Sequence, residues 1–249
     1  MLDQRVALPF LSPDKERLLE YDLSRAITRV MSVEKPVVGL MSPLQMNGQP
    51  MNPMAMQMGQ RGQQPWVLVS ELKRDFTVRE VPMNAEEIPA DVKVLMVVHP
   101  RGITEAGQYA IDQFVLRGGK LIAFVDPMSV LDRGAGGQMG MNMGSQSGLS
   151  KLLPAWGVTF DATKVVADLN YMGNMGNGRT TMRQPAVLML NPTAMNKDDV
   201  LAADTNSLVM AFAGTFSGKP ADGLKQTVLV HSSKNSQLLD PMTLQMGAE

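Results

Sequence analysis

One stretch constrains the fold of this 249-residue chain more than any other: Val94 to Asp126, VLMVVHPRGITEAGQYAIDQFVLRGGKLIAFVD. It reads as an apolar strand (VLMVV), a turn (HPRG), a helix over Thr104 to Arg117, a Gly118-Gly119 stop and a second apolar strand (LIAFV). Both strands are continuous apolar runs, the pattern of strands covered on both faces. Strand, helix and strand in that order form a right-handed crossover, and so a parallel sheet.

The flanking residues extend this unit. Ser12-Pro13 has the form of a helix N-cap with proline at the first helical position, and Asp14 and Glu16 sit in the favourable first turn. Leu19, Leu23, Ala26, Ile27 and Val30 then make an apolar stripe at helical spacing, predicted to face the core. Val37 to Met41 reads as a buried strand. A helix over Trp66 to Asp75 follows, with Leu68, Val69 and Leu72 inward, then a strand over Phe76 to Val81. Beyond Asp126 comes a Gly-rich loop and a short helix over Ser147 to Trp156. Strands are expected at Val158–Phe160, Lys164–Ala167, Ala186–Leu190, Leu208–Phe212 and Thr227–His231. With little helix between them, these predict a β-rich addition to an α/β core.

Composition excludes several function classes. The net charge is −1, with lysine and arginine scattered, so no field attracts nucleic acid. No cysteine is present, which removes disulfides, thiolate metal sites and any cysteine nucleophile, and is compatible with an oxidising compartment. No phosphate cradle of the G-x-x-x-x-G-K-[ST] or G-x-G-x-x-G kind occurs. Two histidines are too few to suggest a histidine-based metal site. No cofactor is expected.

Methionine is abundant, 22 residues, and clustered. Met46, Met51, Met54, Met56 and Met58 lie in LQMNGQPMNPMAMQMGQRGQQP, Met139, Met141 and Met143 in GAGGQMGMNMGSQSG, and Met172 and Met175 in YMGNMGNG. All three segments read as loops. The first two follow parallel strands and should emerge at the C-terminal edge of the sheet, where doubly wound folds bind ligands. The simplest reading is a flexible low-complexity insertion. The alternatives are an adaptable apolar surface for a partner protein and thioether capture of Cu(I).

His99, Arg101 and Asp126 fall at the ends of two strands joined by one crossover, hence close together. They could form a base pair with an anion clamp. The plainer reading is that Asp126 satisfies backbone donors and Arg101 is solvated. Together with Met54, Met56, Met58, Met139, Met141 and Met143, these three residues are the candidate ligand- or partner-binding set. No catalytic residue is assigned.

Four segments in order resemble the family of auxiliary components of ABC-type transport systems associated with bacterial gliding motility. They are EYDLSRAITRVMSVEKPVVGLMS (Glu20–Ser42), LVSELKRDFTVREV (Leu68–Val81), EEIPADVKVLMVVHP (Glu86–Pro100) and YAIDQFVLRGGKLIAFVDP (Tyr109–Pro127). The half after Lys151 matches loosely. The resemblance implies a non-enzymatic accessory piece whose motor lies on another chain, with membrane permease or ATPase subunits as partners and no nucleic acid. It also implies a periplasmic domain of a protein anchored in the membrane outside this region.

The expected fold is α/β and flavodoxin-like, close to the class I glutamine amidotransferase order: a mostly parallel sheet with helices on both faces. Residues 1–161 form that core, with Met-rich insertions, and 162–249 the β-rich extension. Amidotransferase chemistry needs a cysteine on a strand-to-helix elbow, which is absent. A degenerate hydrolase using His99 and Asp126, and a Met-rich copper protein, are the rival readings.

Overall fold

The structure is a computed structural model, and it describes residues 5–7, 16, 19–31, 34–48, 64–132, 145–176, 181–241 and 243. Helix α1 (Leu19–Met31) precedes strand β1 (Val37–Met41), helix α2 (Val67–Asp75), β2 (Thr77–Glu80), β3 (Val92–Val98), helix α3 (Glu105–Leu116) and β4 (Lys120–Phe124). The four strands form a parallel sheet in the order β2-β1-β3-β4. The crossover read from Val94 to Asp126 is therefore present, and its ends are set locally. Thr104 caps α3 by accepting the Gly107 N–H at 3.0 Å. Gly118, at φ 94°, supplies the left-handed residue that stops it.

Apolar cores form on both sides of the sheet. Helix α2 sets Val69, with Trp66 and Leu72, against Leu40, Met46 and Met96. On the other side α3 places Ile111 and Phe114 against Met41, Leu95 and Val97. Leu152 joins them from a short helix, α4 (Leu152–Ala155). Among the described residues no helix is long and apolar enough to cross a membrane.

The remaining strands are antiparallel. They are β5 (Val158–Phe160), β6 (Val165–Asp168), β7 (Met172–Gly176), β8 (Thr181–Leu190), β9 (Leu208–Ala211), β10 (Phe216–Gly218) and β11 (Ser236–Leu239). They pair as β5–β10, β6–β11 and β7-β8-β9. The chain is thus a mixed α/β fold with a flanked parallel sheet and a β-rich C-terminal part, as the sequence predicts.

Several local expectations are corrected. Helix α1 buries none of its residues, and Leu19, Leu23 and Ile27 of the predicted core stripe are exposed. The cause is electrostatic. Arg25 and Arg29 both bind the Asp75 carboxylate at the end of α2, which turns the face of Arg25, Ala26, Arg29 and Val30 inward. Asp75 is pushed up by burial, but its bonds from Arg25 and Arg29 outweigh this and hold it below the usual carboxylate range. Leu68 is exposed too, while Val69 is fully buried. Strand β4 is not covered on both faces: Ile122 and Phe124 are 43% and 49% exposed. The segment of Met172 and Met175 is a strand rather than a loop, because β8 supplies its ladder from a distance. Thr227–His231 is not a strand, and its bridge among the described residues joins Val230 to Met195. The predicted Ser12-Pro13 cap lies outside the described residues.

A buried carboxylate ties the end of β6 to the turn before β11. Asp168, at the end of β6, is fully buried. It accepts the Ser233 N–H at 2.6 Å, the Ser233 hydroxyl at 2.7 Å and the Asn170 N–H at 2.9 Å. Burial pushes its carboxyl up, yet the Ser233 and Asn170 donors prevail and hold it below the ordinary value. A depressed carboxylate stabilises the fold above its unfolded pKa and loses that contribution as the pH falls through the folded value. Asp168→Asn should therefore cost about 1–3 kcal/mol at pH 7. Its deficit against wild type should shrink below roughly pH 4. Urea unfolding at pH 7 and pH 3.5 checks this, and a pH-independent deficit would contradict it.

Candidate functional site

In a 2-1-3-4 parallel sheet the strand order reverses between β1 and β3, and ligands bind beyond the C-terminal ends of the strands at such a reversal. Two features occupy that end. The first is a cleft of about 510 Å³ past β1 and β2, lined among others by Ser42, Leu44, Asn47, Glu80 and Pro82. The Asn47 amide donates to the Glu80 carboxylate, and its buried Oδ1 has no hydrogen-bond partner among the described residues. Met46 beneath it is buried at 1% exposure, packed with Trp66. Met46, which the sequence assigns to a flexible insertion, is thus part of the core.

The second feature is a polar cluster past β3 and β4. His99 is fully buried and holds a left-handed backbone, φ 50°. It precedes Pro100, which disfavours the right-handed helical region for it. Its Nδ1 stands 3.4 Å from Asp126 Oδ2, and its Nε2 lies 2.8 Å from the Ser145 hydroxyl and 3.3 Å from Asp132 Oδ2. Asp132 Oδ2 also receives Arg101 Nε and the Ser145 hydroxyl, each at 2.5 Å. The structure therefore places His99 beside Asp126, the proximity expected from the strand ends, while His99 Nδ1 has no hydrogen-bond partner among the described residues. Arg101 binds Asp132 while its side chain stays 43% exposed.

Asp132 and Ser145 were not legible as site residues. They lie 13 positions apart at the borders of the low-complexity segment, and only the tertiary fold brings them together. The Ser129–Ser145 backbone bridge fixes their approach. Met139, Met141 and Met143, and Met54, Met56 and Met58, lie outside the described residues.

Serine, histidine and aspartate in contact suggest a nucleophile, but a second acceptor, Asp132, competes for the serine proton. Asp132, a carboxylate, can only accept, so the Ser145 hydroxyl donates to it. Which His99 nitrogen carries the proton depends on the tautomer; with the Ser145 proton directed to Asp132, the Ser145 oxygen accepts from Nε2–H. A serine nucleophile needs the reverse, with its proton passing to an unprotonated imidazole nitrogen. Ser145 and His99 are also buried, at 8% and 0% exposure. The arrangement is a clasp: His99 and Arg101 at the end of β3 grip Asp132 and Ser145, the two borders of residues 133–144. Among the described residues no group of acidic and histidine side chains is disposed to hold a metal ion.

Residues 35–249 match the model of a family of auxiliary ABC transport proteins, described as "ABC-type uncharacterized transport system". The chain belongs to this ABC-transport auxiliary family. The match spans the parallel sheet, the polar clasp and the whole antiparallel part, and it begins after α1. The resemblance read from the N-terminal half is thus borne out at the level of an auxiliary ABC-type transport component. Neither curated proteins nor solved structures give a match. Membership in the ABC-transport auxiliary family implies association with a transport complex.

Proposed function

We propose that this chain is a non-catalytic, extracytoplasmic partner-binding domain of an auxiliary ABC-transport component. In this reading it touches a membrane permease subunit, and through it the ATPase, within a system of the gliding-motility type. One observation carries the reading beyond the family match. The clasp engages His99 Nε2, Arg101, Asp132 and Ser145 with one another and holds the stem of 133–144 at the same end of the sheet as the stem of 49–63. A domain without nucleotide chemistry contributes to transport only through differential contacts with another molecule. Residues 49–63 and 133–144 are rich in methionine, and thioethers repack against varied apolar surfaces at small cost.

Joining Gly48 to Gln64, with residues 49–63 removed, should leave the thermal transition within a few degrees of wild type. The same variant should recover less of the permease and ATPase subunits when purified from native membranes. Unchanged recovery would remove the Met-rich segment from the interface. If wild type recovers neither subunit, the reading fails. Ester or amide turnover present in wild type and lost in Ser145→Ala would replace it with a hydrolase.

A further inference from the structure

The parallel sheet has two ends, and they differ. Strand β2 is short and carries Arg79, ion-paired with Asp91 at 2.6 Å, as sheet edges usually do. Strand β4 ends the other side among the described residues and is apolar, KLIAF followed by Val125 and Asp126. Ile122 and Phe124 lie in register with Met96 and Val98 of β3. Helix α2 packs over Met96 and Val98 but leaves Ile122 and Phe124 bare. An open apolar edge is a template for pairing with another strand.

The free hydrogen-bonding groups of this edge can be assigned. The His99 N–H donates to the Phe124 carbonyl at 2.9 Å, so Phe124 turns its backbone groups towards β3. By strand alternation Ile122 and Lys120 do the same. Leu121, Ala123 and, one step past the strand, Val125 then turn theirs outward.

We propose that β4 pairs antiparallel with β4 of a second copy about a two-fold axis, with Ala123 opposite its own symmetry mate. This register pairs Leu121 with Val125 of the other copy, so every outward backbone group meets a partner. Ile122 falls opposite Phe124 at the closer, non-hydrogen-bonded spacing, where apolar cross-strand pairs contribute most. Lys120 falls opposite Asp126, whose side chain is 37% exposed. The run Lys–five apolar residues–Asp is thus self-complementary in charge when reversed against itself. A parallel arrangement would set like charges together. Two four-stranded sheets would become one of eight strands, joined by an isologous interface.

The chain contains no cysteine, so Ala123→Cys introduces a single thiol. Facing residues of a hydrogen-bonded antiparallel pair have Cα atoms about 5.5 Å apart, within disulfide reach. Under mild oxidation Ala123→Cys should form a covalent dimer, while Tyr109→Cys, exposed on α3, should remain monomeric. Sedimentation of wild type should show a monomer–dimer equilibrium. Lys120→Glu should weaken it about tenfold by setting two like-charge pairs across the strands. Lys120→Glu combined with Asp126→Lys should restore it. Three results would each overturn the proposal: wild type monomeric at all concentrations, Ala123→Cys cross-linking no faster than Tyr109→Cys, or a dimer indifferent to Lys120→Glu.

Discussion

Phe114→Ala should destabilise the chain by about 3–5 kcal/mol, with the transition falling by roughly 10 °C at this length. Phe114 is at 1% exposure, at the centre of the larger core, among Ile88, Leu95, Ile111 and Leu152. Arg117 lies 5.5 Å above the ring, and Gly119 leaves the space below it. Removing the ring therefore opens a cavity that rigid strands on one side and the capped helix on the other cannot close. Thermal or urea unfolding measures the loss. A cost under about 1 kcal/mol, well below this range, would mean that α3 does not seat on the sheet as described.

Gly157→Ala should be nearly as damaging, for a different reason. Gly157 turns the chain from α4 into β5 at φ 77°, a conformation that costs an alanine about 1–2 kcal/mol. A Cβ there would also overlap the Lys219 carbonyl and stand 2.7 Å from the Ala221 nitrogen. Both obstacles are backbone, and Ala221 is tied by its N–H to the Trp156 carbonyl at 3.0 Å. Overpacking adds about 1–3 kcal/mol. The expected sum is a loss of roughly 3 kcal/mol, with the β5–β10 pairing affected first. Hydrogen exchange at Val158 to Phe160 together with the unfolding midpoint tests this. An unchanged midpoint would show that residues 219–221 move aside freely.

The parts of this fold legible in sequence are those whose signal is local. Thr104 and Gly118 mark both ends of α3, and apolar runs mark β1, β3 and β4, so the crossover follows directly. Burial of a given face is not local. Ile122 and Phe124 read like core residues, yet they are exposed because the helix that would cover them stops over Met96 and Val98. Helix α1 carries a valid apolar stripe, but two arginines bound to Asp75 turn a different face inward. Met172 to Gly176 has a loop-like composition and becomes a strand only because β8 is there to pair with it. The same limit applies to the polar cluster. His99 and Asp126 are placed by adjacent strand ends, whereas Asp132 and Ser145 carry no periodicity and are united with them only by folding.

The residues flanking each of the first two Met-rich segments are fastened to one another. The Met46 carbonyl accepts the Trp66 N–H at 2.9 Å, bracketing residues 49–63, and the Ser145 carbonyl accepts the Ser129 N–H at 2.7 Å, bracketing 133–144. With each stem fastened, the entropy of closing the intervening chain grows only with the logarithm of its length, about 0.6 kcal/mol per doubling. By this scaling, a change in chain length inside either of these two bonds is expected to cost folding little in closure entropy. Selection is free to vary the length and composition of both segments while Leu40, Met46, His99 and Asp132 stay constrained.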